Sequence, residues 1–447
     1  MNLFEVGKEY ELRKTIRILV YPNITFLKDL EKDSYIQVIK KQIKLLNEIR
    51  DDLWFYLILP KPVPSLTFPN VTQYYTNFET HPPTMRVNFT VQEIKKIVHS
   101  GLDFDLVMSH LPEHTHQLTA TLSNLTHHIP FVFGYCHWWD FKVVTTWPGD
   151  SFRQNIIGLL KYDRCYLNTQ YQKNMVLEES KEIFNDRTIK QLDEILTVQH
   201  LGVDENDIAD VINETPEKII VFNHRPETYK HFNQFISLTD TLYKKRQDFK
   251  VWVPLLDKPN RDYVITDKGD KTFYYNMLKK CCVGFSPKQT YGGWSVATTD
   301  GLMNGCPYIM YDDLYYRELN SDADFFKSND EAIVLLEKYL DDSNYRNEKS
   351  KSGLETIKNK LIYKNEMIMM SNYIDDIVEN LKIMGNTEKL FDIVEYIRKN
   401  KTVTKQDMVN YLGWGRGIKW SPYRRAILKH PNIFDTMSEY PNYVWRE

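Results

Sequence analysis

The sequence predicts an α/β protein with two doubly wound parallel sheets and a small module appended at its C-terminus. Three observations carry that prediction. Short apolar runs alternate with stretches of helical spacing from Ile16 onward, the pattern of strand-helix-strand units. Two of those units end in polar or glycine-rich turns of the kind that open parallel sheets place at their carboxyl edges. From Thr387 onward the composition turns basic. A chain of 447 residues is long enough for two or three domains with cores of their own. Boundaries are expected to give domains over 1–200, 201–385 and 386–447.

In order along the chain, Ile16–Tyr21 is an apolar strand, and Asp33–Arg50 follows with helical spacing at Ile36, Ile39, Ile43 and Leu46. Leu53–Leu59 is the next strand. This opening lacks a glycine-rich phosphate turn, which disfavours a dinucleotide cofactor. Residues 60–90 are rich in Pro, Thr and Asn and are expected to wander without regular structure. Asp105–Ser109 and Ile129–Tyr135 are strands with His110 and Cys136-His137 just past their ends, and Cys165–Thr169 closes the first sheet before a helix from Tyr171. Ile195–His200 runs into a linker at Leu201–Asp204, and the cleft is expected between the halves that it joins. In the second half, strands are expected at Ile219–Arg225, Lys250–Pro254, Cys281–Ser286 and Pro307–Tyr311, with helices at Glu331–Tyr339 and, unbroken, at Ser350–Leu381.

The 57 Lys and Arg nearly balance 60 Asp and Glu, so the chain as a whole has no attraction for polyanions, and a nucleic-acid role would need a local patch. Five cysteines, an odd number without paired metal spacings, read as reduced thiols and a cytoplasmic setting. No apolar run reaches membrane-spanning length and residues 1–20 lack a signal-peptide core, so no membrane partner is expected. Histidines 110, 114, 116, 127 and 128 lack a recognised ligand spacing, and no metal is expected.

The stretch 284–313 reads as strand, glycine turn, buried helix, glycine turn, strand. Gly292 and Gly293 permit close backbone approach, and Ser295, Thr298 and Thr299 cluster at the helix start, where free N–H groups and the macrodipole favour an anion. Gly305 is placed to end that helix. Arg225 lies at the carboxyl end of its strand and Lys230 where the next helix begins; a guanidinium fork with an ammonium suits a diphosphate.

Together these residues resemble the nucleotide-sugar half of GT-B glycosyltransferases, especially family 4. The resemblance runs over roughly residues 16–380 and is specific in the second half. It implies two Rossmann-like domains, a nucleotide-sugar donor (a UDP-sugar) as substrate with no other cofactor, and retaining, metal-independent transfer. It assigns Arg225 and Lys230 to the donor diphosphate and Asp300, five residues before Gly305, to the donor ribose. The family's first acidic position is matched by Gln289 rather than Glu, with extra residues following. The resemblance also implies a histidine of the first domain near the donor sugar, a position that both His110 and His137 fit, with His137 preferred. Beside it Trp138, Trp139 and Asp140 form an aromatic and acidic cluster suited to an acceptor sugar or base.

Residues 387–447 hold 11 Lys and Arg against 7 Asp and Glu, leaving 46 against 53 upstream. A helix at Glu388–Arg398, a strand at Thr402-Val403, a helix at Lys405–Leu412 capped by Thr404, a glycine turn, a third helix near Pro422–Lys429 and a hairpin-like tail resemble a winged helix-turn-helix. Lys419, Arg424, Arg425 and Lys429 line or flank its third helix, the one that enters a major groove in that motif, and Arg416 of the glycine turn joins them as a nucleic-acid candidate. Such modules also dock proteins. With double-stranded DNA as partner, the acceptor becomes a hydroxymethylated base, as in phage-type DNA modification within a host cytoplasm, flipped onto Trp138 and Trp139. A glycosyltransferase acting on tRNA, a glycan or a small metabolite, and a non-catalytic protein that kept the fold, remain as alternatives.

Overall fold

The computed structural model describes residues 15–24, 30, 33–61, 66–81, 86–98, 104–125, 130–137, 151–259, 261–289, 293–385, 387–411, 433–435 and 442–445. By its internal contacts the chain divides into two compact units: one holds residues 1–166, 177–197 and 367–447, the other residues 167–176 and 198–366. Among the described residues no helix is long and apolar enough to cross a membrane.

In the first unit, β1 (Ile16–Tyr21) leads through the helix Ser34–Ile49 to β2 (Leu53–Pro60). The Asp33 carboxylate accepts from the amides of Tyr35 and Ile36, so the helix starts where its apolar spacing starts. Residues 60–90 are a correction to the sequence reading. They contain β3 (Val71–Thr76), paired in parallel with β2 from Phe55↔Val71 to Pro60↔Thr76, and a hairpin of β4 (Phe78–His81) with β5 (Arg86–Phe89). The β-prone run Val-Thr-Gln-Tyr-Tyr-Thr wins over its proline-rich flanks through cross-strand pairs: Trp54 donates to the Thr72 hydroxyl at 2.9 Å and Tyr56 stacks on Tyr74. Beyond lie β6 (Leu106–Ser109), β7 (Phe131–Cys136), β8 (Arg164–Leu167) and β9 (Leu196–Val198), giving the sheet order β3-β2-β1-β6-β7-β8-β9.

The second sheet runs β12-β11-β10-β13-β14-β15, with β10 at Glu217–Val221, β11 at Lys250–Trp252, β12 at Val264–Ile265, β13 at Cys281–Ser286, β14 at Tyr308–Tyr311 and β15 at Asp324–Phe326. Every pairing in it is parallel. Alternate residues of β10 enter different cores: Ile220 packs with Phe235, Val251 and Phe285, whereas Ile219 and Val221 pack with Trp252, Tyr308 and Leu302. A strand buried on both faces explains the nearly unbroken apolar runs of the sequence. In both sheets the strand order reverses between two neighbours, β1 and β6 in one, β10 and β13 in the other, and those are the crevices where open α/β sheets bind ligands.

Two further expectations are corrected, and the helix and strand order of the C-terminal segment is as expected where it is described. The single helix Ser350–Leu381 is two helices, Ser343–Lys360 and Tyr363–Gly385. Between them the Leu361 carbonyl accepts from Val203 N–H at 2.8 Å and Tyr363 N–H donates to the Val203 carbonyl at 3.0 Å, so the backbone leaves the helical ladder for a bridge to the linker. Lys230 lies in a 3₁₀ turn, Thr228–Lys230, and the helix proper starts at Phe232, because His231 takes a left-handed conformation (φ 51°) that interrupts the ladder. Residues 387–447 contain the helices Thr387–Asn400 and Lys405–Tyr411 and the strands β16 (Thr402–Thr404), β17 (Ile433–Asp435) and β18 (Asn442–Trp445), ordered β16-β18-β17 and antiparallel. There Thr404 and Asp407 cap the second helix reciprocally, hydroxyl to Asp407 N–H at 3.1 Å and carboxylate to Thr404 N–H at 2.9 Å. The expected third helix lies outside the described residues.

The helix Val296–Met303 ends as the sequence requires: Gly305 (φ 75°) closes it, with Cys306 N–H on the Gly301 carbonyl and Gly305 N–H on the Leu302 carbonyl. Its close packing against β13 and β14 depends on the Tyr308 ring lying between Gly284 and Gly301, where an added Cβ would come within 2.2 Å and 2.0 Å of ring atoms. Gly301→Ala is expected to displace that ring and cost ~1–3 kcal/mol. Urea unfolding checks it; an unchanged midpoint would mean that the ring relocates without cost.

Candidate functional site

At the carboxyl tip of β10 the buried Asn223 uses all of its polar atoms inside the second unit. Its amide donates to the Tyr274 hydroxyl at 2.8 Å and to the Ala297 carbonyl at 2.7 Å, and its carbonyl accepts from the Tyr308 hydroxyl at 3.0 Å. Tyr274 passes its own proton to Asp300 at 3.2 Å. One amide therefore ties the strand tip to the first turn of the helix Val296–Met303 and, through Tyr274, orients the Asp300 carboxylate. Neither Asn223 nor Tyr274 is among the sequence candidates. Asn223, in the run Asn223-His224-Arg225 that follows the apolar residues of β10, is a visible polar signal, whereas Tyr274 lies 51 positions from its partner.

Two residues on, Arg225 is exposed and Lys230 is half-buried. The Lys230 ammonium donates to the Gln289 side-chain carbonyl and sits 5.2 Å from the centre of the Tyr229 ring. Burial and the neighbouring Arg225 charge hold Lys230 down to about 8, with Glu227 pulling the other way. His224, buried behind them, is held down to about 3 by burial and by Lys230, so it stays neutral. The left-handed His231 sits between the turn and its helix; non-glycine residues are held there at a cost of order 1–3 kcal/mol, and such strain gathers at functional sites. Gln289 bonds onward to Tyr316 at 2.8 Å. The structure thus joins the cation-bearing turn to the loop before the helix Val296–Met303, which the sequence left as two separate motifs.

Ser295 caps that helix, its hydroxyl accepting from Thr298 N–H at 3.3 Å. The Thr298 hydroxyl bonds Ser286 at 2.6 Å and Ser295 at 2.7 Å, and the Thr299 hydroxyl donates to the Ser295 carbonyl at 2.8 Å. All three side chains are buried. Their hydroxyls stiffen the helix start, while the first-turn amides of Val296 and Ala297 have no intrahelical acceptor to reach. At Gly293 an added Cβ would meet nothing within 4 Å among the described residues, so their packing does not demand glycine there. Gly292 lies outside the described residues. Two cations, a helix start and an oriented carboxylate around the β10–β13 reversal can hold a dianion and, beside it, a diol.

In the first unit, His110 follows β6 and His137 follows β7. The two alternatives prove to be one pair: His110 Nδ1 and His137 Nε2 are 2.9 Å apart, with the rings stacked at 5.2 Å and 14°. Tyr135 and Tyr35 pack on the His137 ring at 4.6 and 5.2 Å. His110 is buried and held down to about 3 by that burial; its Nε2 has no hydrogen-bond partner among the described residues. A neutral His110 can exchange one hydrogen bond with His137 and thereby select its tautomer. Trp138, Trp139, Asp140, Arg416, Lys419, Arg424, Arg425 and Lys429 lie outside the described residues.

The two buried imidazoles make an acid-stability prediction. A folded-state value near 3 against an ordinary 6.5 means that the unfolded chain takes up protons first, so stability falls as pH drops through 6.5 towards 3. Each group contributes a slope approaching ~1.4 kcal/mol per pH unit. Urea midpoints followed below pH ~6.5 should fall less steeply in His110→Gln and in His224→Gln; parallel curves for wild type and variants would refute the assignment.

No protein-family model matches the chain, and no curated protein matches it in sequence. Solved structures do match it in fold. Sucrose-phosphate synthase from Thermosynechococcus elongatus aligns with a TM-score of 0.60 at 10% identity over 81% of this chain and 99% of its own. Anabaena HepE in complex with UDP and glucose aligns at 0.59 and 10% identity over 80% and 99%. The E. coli protein described as trehalose-6-phosphate, bound with UDP-2-fluoro glucose, aligns at 0.59 and 10% over 81% and 99%. The chain therefore has the fold that these proteins share, two Rossmann-like parallel sheets of the GT-B type.

Proposed function

We propose that this protein is a glycosyltransferase that takes a sugar from a UDP-sugar, and that its acceptor is a hydroxymethylated base in double-stranded DNA. The observation that carries the donor half is the convergence of Arg225, Lys230, the start of the helix Val296–Met303 and the Tyr274-held Asp300 at the strand-order reversal of the second sheet. In this reading Arg225 and Lys230 take the leaving diphosphate, stabilising charge as the glycosidic bond breaks, and Asp300 takes the ribose hydroxyls. Structures of the same fold hold UDP or a UDP-sugar analogue, which supports uridine as the nucleoside of the donor. Transfer is retaining and metal-independent in this reading, with cationic side chains in the role that a divalent ion plays elsewhere. On the acceptor side, this reading assigns the reacting sugar to His137, its tautomer selected by His110, and the acceptor base to Trp138 and Trp139.

The DNA acceptor rests on residues 387–447. Their local excess of basic residues supports a winged helix-turn-helix, as does the order of helix, strand, capped helix and two antiparallel strands. Arg416, Lys419, Arg424, Arg425 and Lys429 would supply the phosphate and base contacts, and the protein would work in the cytoplasm of its host.

UDP-sugar binding and turnover test the donor half. Arg225→Ala or Lys230→Ala should each cost ~2–3 kcal/mol of donor affinity, about 30- to 150-fold. Asp300→Asn should raise the donor requirement, and His137→Ala should lower turnover more than affinity. Unchanged affinity and turnover in both cation variants would end the donor assignment. For the acceptor half, deleting 387–447 or converting Arg424 and Arg425 to Glu should flatten the salt dependence of duplex binding. That dependence has a log–log slope of roughly −0.9 per phosphate neutralised. Equal binding by intact and altered proteins at every salt concentration would make the segment a protein-docking module, with tRNA, glycan or metabolite acceptors next to be screened.

A further inference from the structure

We propose that Gln289 is the positioning residue of the donor pocket: anchored on the Tyr316 hydroxyl, its neutral amide holds the Lys230 ammonium in place without adding a negative charge, so that the pocket keeps its positive balance for a nucleoside diphosphate. This rests on the donor-site reading above.

The hydrogen-bond chain dictates the amide's orientation. Tyr316 gives its proton to the Pro287 carbonyl at 3.0 Å, so towards Gln289 its oxygen can only accept, and it takes Nε2–H at 2.8 Å. That turns Oε1 towards Lys230, whose ammonium can only donate. The Gln289 backbone is held as well, its N–H donating to the Tyr315 hydroxyl at 3.2 Å. Gln289 is only 5% exposed, and Tyr315 and Tyr316 are fully enclosed, so the anchor has little freedom to swing.

Within this chain's Tyr316–Pro287 network a glutamate would change both contacts. Its carboxylate has no proton for Tyr316, which would have to leave Pro287 to donate to it. Towards Lys230 it would form an ion pair and cancel one of the two cations available to the leaving group. Around Lys230 the charged and titratable neighbours are Arg225 and Glu227 on the same turn, Tyr229 under the ammonium and His224 behind it, with Tyr315 and Tyr316 of the facing helix reached through Gln289. Of these, Glu227 is the one acid, and it is exposed. A neutral residue at 289 therefore decides whether the buried side of the pocket is cationic or balanced. It also leaves Lys230 easy to deprotonate, so the ammonium form that an anionic ligand needs is present below about 8 and lost above it.

The test uses UDP alone as probe, titrated calorimetrically between about pH 6.5 and 9.5 against wild type, Gln289→Glu, Gln289→Met, Tyr316→Phe and Lys230→Ala. Wild-type affinity should fall as pH rises through about 8. Gln289→Glu should weaken UDP about tenfold or more at neutral pH and move the alkaline limb upward, because a carboxylate partner retains the proton on Lys230. Gln289→Met and Tyr316→Phe should weaken UDP at neutral pH while the limb stays where it is or moves down. Should Gln289→Glu fail to fold, the other two variants carry the test. If UDP binds and Lys230→Ala weakens it, yet the folded variants at 289 and 316 keep both affinity and pH profile, the positioning role is overturned. If UDP does not bind, or Lys230→Ala binds it as well as wild type, the donor-site reading itself fails and this inference falls with it.

Discussion

The saturation of one buried amide is the constraint on which the second unit depends. Asn223 has two donors and one acceptor to satisfy, and each of the three goes to a different element: the helix that carries Tyr274, the first turn of the helix Val296–Met303, and the strand that carries Tyr308. Buried polar groups are costly when left unmade, so the strand tip, the helix start and β14 must settle into a single relative position. The tight seat of Tyr308 between Gly284 and Gly301 then sets how closely the helix can approach the sheet. Asp300, one residue before Gly301, acquires its orientation from the same network through Tyr274.

Electrostatics follow from that packing. Once the β10 tip is fixed, the turn after it carries Arg225 to solvent and folds Lys230 inward, where burial and a like charge weaken its hold on the proton. The neighbouring His224 is neutralised by the same surroundings. The first unit repeats the device with other residues: two adjacent strand ends bring His110 and His137 into one stacked pair, and the buried member is kept neutral while its partner is held between two tyrosine rings. In each unit a neutral buried histidine backs a more accessible polar group at a strand end.

Much of the architecture is legible in the residues because strand burial and helix termination are local. The run Cys281–Ser286 has no polar interruption before its serine, and it is a strand with every residue buried. Gly305 ends its helix by the one conformation that glycine adopts most readily. Where a distant backbone competes, the local residues do not set the element. The break at Leu361-Ile362 exists because Val203, more than 150 positions upstream, takes up the freed carbonyl and amide. The strand Val71–Thr76 was hidden because the β2 edge that recruits it cannot be seen in its own composition.

The sequence by itself determined the α/β class, its division into two sheets and which strands end in polar or glycine-rich turns, since alternation, apolar runs and glycine turns are written within a few residues of where they act. Only the tertiary structure decided which of those groups meet. His110 and His137 were alternatives until adjacent strands stacked them, and Lys230 and Gln289 belonged to separate motifs until the fold put the ammonium on the amide. Hydrogen bonds are made at about 3 Å between atoms whose separation along the chain has no bearing on their strength. Partners 27 and 59 residues apart are therefore invisible to any local reading, although the fold brings each pair into contact.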